Sequence, residues 1–120
     1  MPYFFDTYAL VEIANGNKNY DSFFGENITI SILNLGELYL INLREFGKNT
    51  ALGIINKFRF QMLEITKDAV IEAMDFKNKH NKREYSWADC IGYALSKKHK
   101  IRFLTGDMQF KDIENVEFVK

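Results

Sequence analysis

The fold is indicated by a stretch near the start of the chain, Tyr3-Phe4-Phe5-Asp6-Thr7-Tyr8-Ala9-Leu10-Val11. Residues 3–5 are a short apolar run typical of a buried strand, and from Thr7 onwards apolar residues recur at helical spacing. Asp6 therefore stands where a strand passes into a helix. Its carboxylate could cap the helix or belong to a site, and the local pattern leaves both open.

A second acid follows a strand near the other end, in Ile101-Arg102-Phe103-Leu104-Thr105-Gly106-Asp107. Residues 101–104 predict a strand that Gly106 ends, and Asp107 could be a simple turn aspartate. In an open parallel sheet, however, ligands bind just beyond the carboxyl ends of the strands. Asp6 and Asp107 are thus predicted to meet at one edge of a sheet.

Two further acids lie near the starts of predicted helices. Glu37 shares a helical face with apolar residues three and four positions away, and a carboxylate there loses solvation unless something pairs with it. Asp89 falls in the first turn of a helix that Ser86 would cap, where the helix dipole alone favours an anion. Helix starts and strand ends share one edge of an alternating strand-helix fold, so all four acids can converge.

Carboxylates held this close raise each other's pKa unless a hard cation neutralises them. Mg²⁺ or Mn²⁺ suits such oxygen ligands. We expect Asp6, Asp89 and Asp107 to bind the ion, and Glu37 to orient a ligand water or close the site. All four are candidate catalytic residues.

Four short motifs give the chain a resemblance to the PIN domain family, especially to VapC-like toxin ribonucleases of type II toxin-antitoxin pairs. They are Phe5-Asp6-Thr7, Leu35-Gly36-Glu37-Leu38, Ala88-Asp89-Cys90-Ile91-Gly92-Tyr93-Ala94 and Phe103-Leu104-Thr105-Gly106-Asp107-Met108-Gln109-Phe110. The resemblance implies an α/β three-layer sandwich, with a parallel sheet of four to five strands and helices on both faces. It also implies a Mg²⁺ or Mn²⁺ site and endonucleolytic cleavage of RNA. Family members commonly have a further acid where this chain has Gln109.

In that mechanism a metal-activated water would attack the phosphodiester, and Thr7 and Thr105 would support the site by hydrogen bonding. The resemblance also implies a homodimer and an antitoxin segment in a hydrophobic groove near the active site. The predicted helix over 32–46 is apolar nearly all round, which fits a partner surface. Packing against the next helix is the alternative.

Charge and length limit the other possibilities. The 120 residues suit one domain, 1–120, and the charges balance at 16 basic and 16 acidic residues, so any contact with RNA must be local. Basic clusters flank the Asp89 helix and are weakly predicted to bind RNA phosphates, although they could be ordinary solvated helix ends: Lys82, Arg83, Lys97 and Lys98. One cysteine and no evident leader or membrane span predict a cytoplasmic protein.

The remaining elements follow from periodicity and breakers. Strands are predicted over 3–5, 28–30, 62–65, 101–104 and 116–119. Helices are predicted over 7–14, 20–24, 32–46, 49–60, 67–81 and 87–98. Alternating strands and helices favour the α/β class.

Other functions compete with the toxin. A housekeeping PIN nuclease of RNA processing and a non-catalytic PIN-like module that binds RNA or protein would share the fold. A haloacid-type phosphatase would need an acid at Tyr8, and a phosphoacceptor receiver would need adjacent acids after its first strand. The chain has neither.

Overall fold

The computed structural model describes residues 3–25 and 27–120. Its strands are β1 (Tyr3–Phe5), β2 (Ile28–Ile30), β3 (Phe60–Met62), β4 (Arg102–Thr105) and β5 (Val116–Phe118). Its helices are α1 (Thr7–Ala14), α2 (Ile32–Phe46), α3 (Lys48–Lys57), α4 (Lys67–Lys79) and α5 (Trp87–Lys98). Short 3₁₀ turns occur at Lys18–Tyr20 and Met108–Phe110.

All the paired strands run parallel, as predicted. Hydrogen bonds form a three-stranded sheet in the order β1-β4-β5 and a two-stranded sheet of β2 and β3, with β2 lying beside β1. In the β1–β4 register, Phe5 is opposite Leu104. Asp6, which follows β1, and Thr105, which ends β4, therefore lie side by side at one edge of the sheet.

Helices cover both faces of the sheet, because successive strand residues point to opposite sides. Phe4 packs in a core with residues of α4 and α5, whereas Phe5 packs in a second core with α1, α2 and β2. The α/β three-layer PIN-like arrangement is thus confirmed. Within the described residues, no helix combines the length and apolar character needed to cross a membrane.

The largest error in the predicted elements concerns β3, which spans 60–62 instead of 62–65. Pairing with β2 fixes its position, because Ile28 N–H donates to the carbonyl of Arg59 and Leu63 N–H donates to that of Ile30. Helix α3 consequently ends at Lys57 and not at 60. Leu63 and Ile65 pack against the first core instead of forming a strand.

Other boundaries differ less. The helix predicted over 20–24 is a 3₁₀ turn at Lys18–Tyr20, which starts where the Asn17 side chain accepts the N–H of Asn19. Helix α4 ends at Lys79 instead of 81, β4 lies one residue later than predicted, and β5 ends at Phe118.

Candidate active site

Asp6 leaves β1 at the edge of the sheet, and its backbone N–H donates to the carbonyl of Leu104 at 3.0 Å. Its side chain is only 2% exposed. Thr105, the last residue of β4, donates its hydroxyl to Asp6 Oδ2 at 2.7 Å. The other oxygen, Oδ1, is buried and accepts no hydrogen bond from any residue that the structure describes. A buried carboxylate oxygen in this state is unfavourable unless a cation or a proton satisfies it.

Burial and neighbouring charge act together on Asp6. Burial is the main cause that raises the pKa of its carboxyl from 3.8 to about 8, and the carboxylates of Asp89 and Asp107 raise it as well. The hydrogen bond from Thr105 opposes these effects without cancelling them. The surroundings of Asp6 therefore disfavour a negative charge in the absence of a cation.

Asp89 lies in the first turn of α5 and forms a capping box with Ser86, the residue before the helix. Ser86 N–H donates to Asp89 Oδ2 at 2.9 Å, and Asp89 N–H donates to the Ser86 hydroxyl at 3.0 Å. The pKa of Asp89 is raised, mainly by burial and also by the charges of Glu37 and Asp107, although the bonds to Ser86 lower it. Asp89 thus stabilises the start of α5, and the charges of the other acids raise its pKa.

Asp107 is tied to Asp6 through Thr105. Its N–H donates to the Thr105 hydroxyl at 3.0 Å, and the same hydroxyl donates to Asp6. Asp107 Oδ1 also accepts the N–H of Gln109, which starts a 3₁₀ turn. Gly106, which lies between Thr105 and Asp107, is packed so closely that an added β-carbon would overlap the Val119 carbonyl. This junction holds two of the predicted metal ligands near one hydroxyl.

Glu37, on α2, is held by a chain of side-chain hydrogen bonds. The Thr7 hydroxyl donates to Glu37 Oε1 at 2.5 Å, and Asn34 Nδ2 donates to the Thr7 hydroxyl at 3.1 Å. Asn34 Oδ1 in turn accepts the N–H and the hydroxyl of Ser31. The first turns of α1 and α2 are joined at this point.

All four acids line one open cleft of about 490 Å³. Its polar lining also includes Thr7, Ser86 and Glu12, and its apolar wall consists of Tyr8, Val11, Leu40 and Ile41. The acids that the sequence predicted to converge are therefore brought to one place. Their chemical roles stay predictions.

The acidic lining of the cleft suits a hard cation, but the positions of its side chains do not form a complete metal-binding site. Across residues 3–25 and 27–120, no three His, Cys, Asp or Glu side chains are arranged as a metal-binding group. The unpartnered Asp6 oxygen and the mutual influence of the acids on their pKa values nevertheless fit Mg²⁺ or Mn²⁺, which prefer oxygen ligands. Binding would require the carboxylates to draw closer together.

Most of the predicted RNA-binding side chains are engaged elsewhere. Arg83 forms a two-pronged ion pair with Asp112 and also donates to the carbonyl of Gln109. Lys97 pairs with Glu114, and Lys98 donates to the Thr66 hydroxyl, both at the end of α5 remote from Asp89. The length of α5 separates Lys97 and Lys98 from Asp89, and their contact with RNA stays a prediction.

Lys82 lies exposed in the segment before α5. Its contact with RNA stays a prediction.

Sequence reasoning missed Asn34 and Ser31. Asn34 is fully buried, and its position within an otherwise apolar run three residues before Glu37 was the available signal. A polar side chain in such a run needs a buried partner, and one of the partners here, Thr7, lines the cleft.

Comparison with known proteins agrees with the fold and with the motifs. The family model described as "PIN domain" matches residues 3–116, and the chain belongs to that family. No curated protein matches it.

Solved structures of toxins share the architecture. VapC20 of Mycobacterium tuberculosis, a Sarcin-Ricin loop cleaving toxin, superposes with a TM-score of 0.77 at 21% identity, covering 98% of this chain and 99% of that one. VapBC2 of Rickettsia felis, solved with promoter DNA, gives 0.79 at 17% identity with all of both chains covered. DNA-bound VapBC of Salmonella typhimurium gives 0.79 at 14%, covering 98% and 96%. At these identities the likeness concerns the fold.

Proposed function

We propose that the chain is a Mg²⁺- or Mn²⁺-dependent endoribonuclease and the toxin of a toxin-antitoxin pair. The observation that carries the proposal is Asp6, a buried carboxylate with an unpartnered oxygen, in a PIN-fold cleft that four further acids line. A site that only packed the fold would gain nothing from this concentration of negative charge. The similarity to toxin structures supports the choice of substrate class.

In this proposal Asp6, Asp89 and Asp107 hold the cation. A divalent ion bound there would supply the charge that activates water and stabilises the transition state of phosphodiester hydrolysis. Thr105 holds Asp6 and the backbone of Asp107 through one hydroxyl, so the two acids keep a fixed relation. Ser86 restrains Asp89 by donating its backbone N–H to the Asp89 carboxylate.

The chain's own charge also sets the order of binding. RNA phosphates are repelled by the acids of the cleft until those acids are neutralised. Since the chain has no net positive charge to offset this repulsion, RNA should enter only after the cation. Such an enzyme would act where cellular RNA is found, in the cytoplasm.

Cleavage of RNA by the purified chain tests the proposed function. We expect internal fragments from single-stranded or structured RNA in Mn²⁺ or Mg²⁺, and a loss of at least about 100-fold in rate in excess chelator. Addition of metal should restore the rate, and gel analysis of end-labelled RNA measures it. Full activity in chelator would contradict the mechanism. Metal binding without cleavage of any RNA would instead favour a non-catalytic module.

The apolar wall of the cleft is the proposed docking site of an antitoxin. Leu40 and Ile41 are 41% and 40% exposed and line the same cleft as the acids. An amphipathic segment could cover them and place a basic side chain against the carboxylates, in competition with the cation. Further exposed apolar residues on α2 and α3 are proposed to form a homodimer surface: Ile32, Phe46 and Leu52.

Replacing Ile41 by Asn should weaken antitoxin binding by about tenfold or more, because it removes apolar contact at the centre of the proposed interface. The neutral substitution adds no charge to the acidic cleft. Ile71→Asn is the matched control, since Ile71 is 51% exposed on α4, away from the cleft lining. Titration of each variant with a candidate antitoxin, chosen as a small protein encoded next to the gene of this chain, measures the effect. Equal binding by both variants would place the partner elsewhere.

A further inference from the structure

The buried side chain of Asn34 forms the inner part of the Glu37 hydrogen-bond chain. It is 0% exposed and lies in the first turn of α2, one helical turn before Glu37. Its Oδ1 accepts from Ser31 N–H at 3.1 Å and from the Ser31 hydroxyl at 2.7 Å, while its Nδ2 donates to the Thr7 hydroxyl at 3.1 Å. Both ends of the amide are therefore engaged.

We propose that Asn34 is a positioning residue, which sets the direction of the Thr7 hydroxyl and through it the place of Glu37 in the cleft. This inference rests on the proposed ribonuclease function and adds to it. Asn34 lies behind the cleft wall and acts through Thr7.

The direction follows from counting donors. A hydroxyl carries one hydrogen, and the Thr7 oxygen already accepts from Asn34 Nδ2. Thr7 is therefore free to donate its own hydrogen, and Glu37 Oε1 lies within 2.5 Å to receive it. The two donors on Ser31 fix the orientation of the amide, because Oδ1 must face them and Nδ2 must then face Thr7.

This arrangement explains how a carboxylate is kept at the cleft on an otherwise apolar helix face. Glu37 has flexible torsions and would otherwise turn its charge towards bulk water. The donor from Thr7 holds Glu37 Oε1 beside the start of α1, next to Asp6. Loss of the correct hydroxyl direction should leave the fold intact but allow Glu37 to move.

The substitution Asn34→Asp tests the proposal, because it keeps the shape of the side chain and replaces the donor with an acceptor. The carboxylate can still accept both bonds from Ser31, but it would draw the Thr7 hydrogen away from Glu37. Asn42→Asp is the matched control: Asn42 is also buried on α2, and its Nδ2 donates to the Leu38 carbonyl, away from the cleft.

We expect Asn34→Asp to lower kcat for RNA cleavage about tenfold and to raise the Mn²⁺ concentration for half-maximal activity, with KM for RNA unchanged. Asn42→Asp should change neither, whatever it does to the melting temperature. In a Thr7→Val background the Asn34 substitution should have no further effect, because the hydroxyl through which it acts is absent. Additive losses in that double variant would overturn the proposal, as would equal losses from the two Asn→Asp changes.

Two further measurements keep the result decisive. If Asn34→Asp does not fold, Asn34→Ser replaces it, because its short neutral side chain can bond Ser31 but is too short to reach Thr7. Calorimetric titration with Mn²⁺ needs no RNA and gives a second reading: weaker binding is expected for the Asn34 variants and not for Asn42→Asp. If the wild-type chain binds Mn²⁺ but cleaves no RNA, the proposed function fails, and this titration still decides the role of Asn34.

Discussion

We expect the replacement of Asp6 by Asn to lower the rate of RNA cleavage by about 10³-fold or more and, at the same time, to stabilise the metal-free protein. Activity falls because the amide removes a proposed ligand and its charge. Stability rises because the wild-type carboxylate is buried with an unpartnered oxygen and close to Asp89 and Asp107. Asn can still accept the hydrogen bond from Thr105.

The gain in stability should depend on pH in a defined direction. The pKa of Asp6 is about 8 in the folded protein against an ordinary 3.8, so the folded state binds the proton more tightly. The wild-type protein therefore loses stability as pH rises from about 4 to about 8, relative to the variant. The difference should be small at pH 4 and reach a few kcal/mol at pH 8.

Chemical denaturation in chelator at several pH values measures the change in stability, and cleavage of RNA in Mn²⁺ measures the change in activity. Asp75→Asn is the control. Asp75 is exposed on α4, and its substitution changes the net charge by the same amount as Asp6→Asn. It should retain activity and show no such gain in stability. A destabilised Asp6→Asn variant, or one that cleaves RNA at the wild-type rate, would contradict the electrostatic account of the cleft.

The second large effect concerns the cation itself. Saturating Mn²⁺ should raise the melting temperature of the wild-type chain by several degrees, since an ion that binds only the folded state at 100 times its Kd adds about 2.7 kcal/mol. Because the pKa of Asp6 is raised, Mn²⁺ binding should release a proton at pH 7 and should weaken as pH falls.

The double variant Asp6→Asn/Asp107→Asn should lose this thermal shift entirely. Asp68→Asn/Asp75→Asn, with both substitutions at exposed positions of α4, removes the same formal charge and should keep it. Calcium and magnesium in parallel would show whether the site selects among hard cations. An unchanged shift in the cleft double variant would mean that Mn²⁺ binds at another place.

Local patterns in the sequence were sufficient to predict most of the fold. Apolar runs that end in Asp6 and in Gly106 defined β1 and β4, and the parallel pairing then followed from the rule for alternating strands and helices. That rule also predicted the shared edge at which Asp6, Glu37, Asp89 and Asp107 line one cleft. The prediction succeeded because Asp6 and Asp107 follow apolar strands, whereas Glu37 and Asp89 lie near the starts of helices.

Sequence-based predictions were wrong or incomplete at positions whose structure depends on contacts with distant parts of the chain. Apolar residues recur across residues 60–65, at Phe60, Met62, Leu63 and Ile65, and only pairing with β2 selects Phe60–Met62 as the strand. The partners of Arg83 and Lys97 are acidic side chains beyond β4, which no local pattern reveals. Asn34 was missed for the same reason, since its partner Thr7 lies 27 positions away.

The bond between Thr105 and Asp6 joins residues 99 positions apart. A ribosome that is synthesising the chain delivers Asp6 first and Thr105 only 99 residues later. Until then Asp6 has neither β4 beside it nor the hydroxyl of Thr105, so a nascent chain that lacks β4 cannot assemble the cleft. If the product is a ribonuclease, messenger RNA and the translating ribosome itself are exposed to it only after β4 has been synthesised. A partner made earlier could then meet the enzyme as it folds.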